Sequence, residues 1–243
     1  MREKFNKLME AGARDLEIEL NENQMNQFYQ YYELLIEWNQ VMNLTAITEL
    51  EDVITKHFVD SLSLVKGVDQ KKLSGLRIID VGTGAGFPGI PLKIAFPELK
   101  ITLLDSLNKR VKYLNEVIES LSLEEIHAVH GRAEDYGRDR EYREQYDICV
   151  SRAVANLSVL LEYCMPFVKV DGYFIPYKSG KIEEELDGAK KAVKLLGGKM
   201  EEVVSFLLPG SDAERALVKI RKVEPIAKKY PRKAGLPAKE PIS

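Results

Sequence analysis

Two acids and a run of glycines are the residues of this chain best spaced for chemistry: Asp80-Val-Gly82-Thr-Gly84-Ala-Gly86-Phe87-Pro88-Gly89, and then Asp105. Alternate glycines permit positive φ and let a ligand reach the backbone without meeting a Cβ. An acid just before them can receive an ammonium group. An acid closing the next apolar run, Ile101-Thr-Leu-Leu-Asp105, can accept both hydroxyls of a ribose. Pro88 and Pro91 suit the first turn of a helix, which leaves amides of the preceding turn free to face a ligand.

Two cofactors compete for this stretch. Gly84-Ala-Gly-Phe-Pro-Gly89 satisfies G-x-G-x-x-G, the dinucleotide fingerprint. In that fingerprint the first glycine follows the strand directly, whereas here Asp80 closes the strand and Gly82 already precedes Gly84. The spacing Asp-x-Gly-x-Gly-x-Gly favours S-adenosylmethionine (SAM), with Asp80 near the methionine amine and Gly82, Gly84 and Gly86 against the ligand. NAD is the runner-up, and Asp105 serves either. A third set, Gly131-Arg-Ala-Glu-Asp135, follows the third apolar run, where Ala133 and Glu134 would meet an adenine through an amide and a carboxylate; a simple turn with a helix cap explains the same residues.

Several chemistries are missing. The fourth run ends in Ser151-Arg152-Ala-Val154 and lacks the Asn/Asp-Pro-Pro-aromatic sequence with which methyltransferases accept the hydrogens of an exocyclic amine. Neither Cys149 nor Cys164 follows a proline, as the nucleophile of a cytosine-C5 enzyme would, and both sit in apolar runs as core residues. His127 and His130 point to opposite faces of a strand, so no metal site is expected. His57 and Asp60, three apart, share a helix face; a packed histidine held by its neighbouring carboxylate outweighs a catalytic one.

The elements that must position these residues follow from hydrophobic periodicity. Residues 1 to about 70 read as helical: Asn21 and Gln24 form a capping box, Met25, Phe28, Tyr32, Leu35, Trp38 and Met42 recur at helical spacing, and Thr48 with Glu51 suggests a second box. From residue 76 strands and helices alternate, with strands expected near 76–81, 100–105, 126–130, 146–151, 171–176, 199–208 and 215–222. That pattern implies an α/β fold, a seven-stranded, doubly wound parallel sheet of Rossmann-like SAM-dependent methyltransferase type with an N-terminal helical extension. The helix after Asp105 turns Val111, Leu114, Val117, Ile118 and Leu121 inward and leaves Lys109, Arg110 and Lys112 outside.

The 243 residues suit one α/β domain with extensions: a helical part over 1–72, the catalytic domain over 73–224 and a basic, proline-rich tail over 225–243. No apolar run approaches the roughly 20 residues of a membrane span, the N-terminus lacks an apolar leader, and two core cysteines fit a reduced cytoplasmic setting. The net charge of −3 argues against general nucleic-acid binding, yet residues 219–233 carry seven cations against Glu224 alone, which implies one local basic face.

Taken together, Asn43-Leu-Thr-Ala-Ile47, His57-Phe-Val-Asp-Ser-Leu62, the glycine stretch, Leu104-Asp-Ser106, Gly131-Arg-Ala-Glu-Asp135, Ser151-Arg-Ala-Val154 and Tyr230-Pro-Arg-Lys-Ala-Gly-Leu-Pro237 resemble, in order and spacing, the bacterial small-subunit ribosomal RNA guanine-N7 methyltransferases once called glucose-inhibited division protein B. The resemblance spans nearly the whole chain. It implies methyl transfer from SAM, leaving S-adenosylhomocysteine, to N7 of guanosine 527 in 16S rRNA, carried in the small ribosomal subunit or an assembly intermediate. Gly82, Phe87, Asp105, Ser106, Ala133, Glu134 and Arg152 carry over as cofactor contacts, Arg152 pairing with either the SAM carboxylate or an RNA phosphate. Lys109, Arg110, Arg132, Lys178 and Arg232 are the candidates for RNA contact. No residue is expected to act as a proton-transfer catalyst, transfer resting on positioning with Arg152 the one candidate to take part, and the protein is expected to be a monomer. A SAM-binding regulatory module and an NAD-dependent oxidoreductase are the alternatives.

Overall fold

In the computed structural model, which describes residues 1–180 and 182–242, the chain begins with two helices, α1 (Arg2–Asp15) and α2 (Glu22–Met42). Next come α3 (Leu50–Val53), a π-helical stretch (Ile54–Val59) and α4 (Asp60–Leu62). Alternation then sets in: β1 (Arg77–Val81), α5 (Gly89–Ala95), β2 (Lys100–Asp105), α6 (Asn108–Ser120), β3 (Ile126–His130), α7 (Ala133–Tyr136), β4 (Tyr146–Ser151) and α8 (Leu157–Cys164). After β5 (Val168–Ser179) and α9 (Glu183–Leu195) come β6 (Gly198–Leu207) and β7 (Glu214–Lys222), and α10 (Leu236–Lys239) closes the described chain.

The seven strands form one sheet in the order β3-β2-β1-β4-β5-β7-β6. Its first five members are parallel, but β7 runs antiparallel to both β5 and β6, which corrects the all-parallel expectation. The loop from Leu208 to Ala213 is the physical reason. A parallel crossover needs a dozen or more residues, and Pro209-Gly210 supplies a tight reversal instead. The order changes direction between β1 and β4, and in such sheets ligands bind beyond the carboxyl ends of the strands at that switch point.

Alternation along the strands fills both faces. Ile78, Ile101, Leu103, Ile148, Val150 and Ile175 pack with Phe5, Phe28, Tyr31, Phe58 and Tyr113 on one side. Ile79, Val81, Leu104, Cys149, Phe174 and Val218 pack with Leu160, Leu161, Ala189 and Val193 on the other. The tail joins this second core through Ile226, Tyr230 and Ile242; Ser243, its last residue, lies outside the described residues.

The N-terminal helices are fastened to the sheet by polar contacts as well. Asn21 and Gln24 form the expected capping box, and the amide of Gln24 also donates to the carbonyls of Ile94 and Ala95, covering the end of α5. Gln27 does the same for Leu121 after α6. The second box is absent: Glu49 precedes α3 without a side-chain cap, and Glu51 pairs with Lys4 of α1. The expected pairing of His57 with Asp60 is absent too. Both lie at the π-helical stretch, whose wider turn takes residues three apart off a common face. Asp60 instead receives Arg215 at 2.8 Å and Arg152 at 3.3 Å.

Candidate active site

A cleft of about 420 Å³ opens at the carboxyl ends of the first four strands, lined among others by Gly82, Ser106, Arg132, Ala133, Glu134 and Gly235. Burial and loop geometry decide what it can hold. Gly82 and Gly84 have φ of +72° and +63°; a Cβ on Gly84 would meet no protein atom within 4 Å. A Cβ on Gly86 would fall 2.5 Å from Ile90 Cδ1 and 2.7 Å from the Tyr31 hydroxyl. Gly84 therefore leaves room on the open side of the loop, whereas Gly86, expected beside the ligand, makes space for the protein's own core.

The loop does not offer the free amides expected of it. Gly82 and Thr83 donate to Leu104 O, Gly84 to Asp105 Oδ2 at 2.9 Å, Gly86 and Phe87 to Thr83 O, and Gly89 to Asp80 Oδ2 at 2.9 Å. Among the described backbone donors from Gly82 to Gly89, Ala85 alone makes no such bond. A dinucleotide loop holds a pyrophosphate with free amides. These amides are already spent, so the geometry speaks for a ligand without phosphate at this point.

Asp80 is fully buried; its Oδ2 also accepts from Thr83 Oγ1 at 2.7 Å, while its Oδ1 has no partner. Burial pushes its pKa up to about 7, against the pull of Thr83 and Gly89. An unpartnered buried carboxylate oxygen next to the glycine loop suits an incoming ammonium group, as the methionine end of SAM provides. Asp105 is turned to the end of β2, its oxygens accepting the amides of Gly84 and Leu107 and, at 3.4 Å, the Arg110 guanidinium. A carboxylate has about four acceptor sites, so capacity for a ribose remains. Glu134 is held by the amide of Gly235 at 2.8 Å, which draws the C-terminal tail over the far end of the cleft.

Other expected contacts lie elsewhere. The Phe87 ring stacks on His57 at 4.5 Å and packs against Tyr31 at 5.5 Å, facing the N-terminal helices. Arg152 is committed: it donates to the carbonyls of Lys56 and His57, both at 3.1 Å, and to Ser61 Oγ at 2.9 Å, besides pairing with Asp60. Lys178 donates to Ala155 O at 2.7 Å and Glu185 Oε1 at 2.6 Å. Arg232 grips the buried Glu162 with its backbone amide and guanidinium, at 2.6 to 3.0 Å. Of the candidates for RNA contact, Lys109 and Arg132 are exposed, and Arg110 is half-buried against Asp105.

Sequence reasoning missed Tyr31, whose hydroxyl donates to Ala85 O and props the glycine loop from α2, and Gly235, which lines the cleft. It also missed Glu162, although one acid inside Leu157-Ser-Val-Leu-Leu-Glu-Tyr-Cys164 signals a buried partner for a cation.

The sheet order, its antiparallel seventh strand and the cleft define a SAM-dependent methyltransferase. Its fold matches the structure of MtNAS in complex with MTA and tNA, at a TM-score of 0.55 and 15% identity over 80% of this chain and 74% of that one. It also matches M. jannaschii TYW2 in complex with AdoMet, at a TM-score of 0.50 and 17% identity over 62% and 70%. The family model described as rRNA small subunit methyltransferase G matches residues 24–231, and the chain belongs to that family. Proteins named ribosomal RNA small subunit methyltransferase G are 58% identical in Lachnoclostridium phytofermentans, over 95% of both chains, and 52% identical in a Thermoanaerobacter species, over 100% of both.

Proposed function

We propose that this protein transfers a methyl group from SAM to N7 of guanosine 527 of 16S rRNA, acting as a monomer in the cytoplasm on the small ribosomal subunit or an assembly intermediate. SAM supplies an electrophilic methyl on a sulfonium. Asp80 receives its amine, Gly82 and Gly84 give it room, Asp105 and Ser106 hold the ribose, and Ala133 and Glu134 border the adenine. Gly86 and Phe87 support this loop from beneath, and Arg152 ties the π-helical stretch to the end of β4. Exposed Lys109 and Arg132, with Lys228, Lys229 and Lys233 of the tail, are proposed to meet RNA phosphate. The three-part division at residues 72 and 224 goes with these roles: prop, catalytic sheet and latch.

One observation carries the N7 reading: neither the buried histidine beside the glycine loop nor either cysteine is free to take a proton from the acceptor. His57 has both nitrogens engaged, Nε2 with Thr45 Oγ1 at 2.8 Å and Nδ1 with Arg152 at 3.4 Å. Burial and the Arg152 charge push its pKa down to about 3, so it stays neutral without being free. The thiols of Cys149 and Cys164 are buried. Purine N7 has an in-plane lone pair and loses no proton on methylation, so alignment and electrostatic complementarity suffice.

The test is the single-turnover rate at saturating SAM across pH 6.5 to 8.5. A flat profile is expected, with His57→Ala slower only as far as it is less stable. A steep ionisation in that range, abolished in His57→Ala, contradicts transfer without a base.

A further inference from the structure

Beyond the cofactor cleft a second one of about 400 Å³ opens at the ends of β4 and β5, and the two share Ala153 and Ala155. Its size is in the range of sites that enclose one small molecule. Its walls include Asp60, Arg152, Tyr177, Lys178, Glu185 and Arg215.

The polar groups of these walls are unequally occupied. Asp60 spends one oxygen on Arg215 and the other on Arg152, and the Tyr177 hydroxyl donates to Ser61 O at 2.7 Å. Glu185 spends only Oε1, which accepts from the Lys178 ammonium at 2.6 Å and from the amide of Leu157. Its Oε2 makes no hydrogen bond among the described residues, and the side chain is 24% exposed. The carboxylate is thus fixed at one oxygen and open at the other.

Guanine N7 lies on the opposite side of the purine from N1–H and the N2 amine, two adjacent donors. A guanine that turns N7 toward the shared wall at Ala153 and Ala155 carries those donors to the far side of the second cleft. There a fixed carboxylate accepts them; adenine would oppose it with the N1 lone pair. We propose that Glu185 is the specificity-determining residue that reads the Watson–Crick edge of the acceptor guanine, with Lys178 positioning its carboxylate. This rests on the guanine-N7 reading above.

The experiment uses small ribosomal subunits reconstituted with guanosine or inosine at the acceptor position, inosine keeping N7 and lacking the N2 amine. The ratio of kcat/KM for the two acceptors is measured for the wild type, Glu185→Gln and Glu185→Ala, with SAM affinity and circular dichroism as controls. The wild type is expected to prefer guanosine on the order of 10-fold or more, the size of one hydrogen bond to a charged group. Glu185→Gln keeps an oxygen for Lys178 and should bring the ratio near unity by slowing guanosine, with SAM affinity unchanged. Glu185→Ala should do the same wherever it folds. A ratio that stays at its wild-type value, or a loss that strikes both acceptors equally, makes Glu185 a structural anchor and overturns the proposal. A wild type that methylates guanosine without preferring it overturns this inference and leaves the N7 reading standing. A wild type that methylates neither overturns both.

Discussion

At Gly84 and Gly86 two glycines that look alike in sequence do opposite work. Gly84→Val places its side chain in open space at positive φ, so SAM affinity is expected to vanish in calorimetry while the circular dichroism spectrum stays near native. Gly86→Ala drives a methyl into Ile90 and Tyr31 and should cost about 1 to 3 kcal/mol in urea denaturation, with some SAM binding retained where folded. The glycine spacing announced a ligand loop but not which side the protein itself fills, because that depends on Tyr31, which arrives from a helix more than 50 positions earlier. Asp80 carries its own test. Its raised pKa, about 7, leaves it protonated in the folded protein below that pH, when it no longer attracts an ammonium group. SAM affinity should therefore weaken by about tenfold from pH 8 to pH 6, and Asp80→Asn should be uniformly weak and flat. A wild-type affinity independent of pH over that range would detach Asp80 from the amine.

Among the elements, the basic tail behaves differently from its composition. Seven cations against one acid between residues 219 and 233 read as a solvated or RNA-facing stretch, and Lys228, Lys229 and Lys233 are indeed exposed. Arg232, in the midst of them, is spent on the buried Glu162, and Gly235 reaches the cofactor cleft. Removing one partner of a buried pair strands a charge, so Arg232→Ala should cost about 3 to 5 kcal/mol in urea denaturation and weaken SAM binding. Lys228→Ala should stay within about 0.5 kcal/mol. Truncation from Lys228 is accordingly expected to damage SAM binding, and SAM affinity equal to that of the full chain would deny the latch. Charge counts cannot separate these residues, since the partner of Arg232 sits 70 positions upstream. The reversed β7 was missed by the all-parallel expectation, although the short Leu208 to Ala213 connection between two strands excludes a parallel crossover.

The whole molecule is one seven-stranded sheet with a cleft at the carboxyl ends of its first four strands, the N-terminal helices packed on one face and the C-terminal tail on the other. Periodicity made the central strands legible, because β1, β2 and β4 are covered on both faces and leave continuous apolar runs. It could not show that Arg152 and Lys178 would be consumed by partners, because Asp60 and Glu185 become their neighbours only once the sheet has formed. Of the cations proposed to meet RNA, the exposed ones are Lys109, Arg132 and the tail lysines. The most direct test of this function is to incubate the purified protein with small ribosomal subunits lacking the modification and methyl-labelled SAM, then identify the labelled nucleoside and its position. Label confined to N7-methylguanosine at position 527 is the expected result. Label on an exocyclic amine or a pyrimidine carbon, or at another nucleotide, would contradict it.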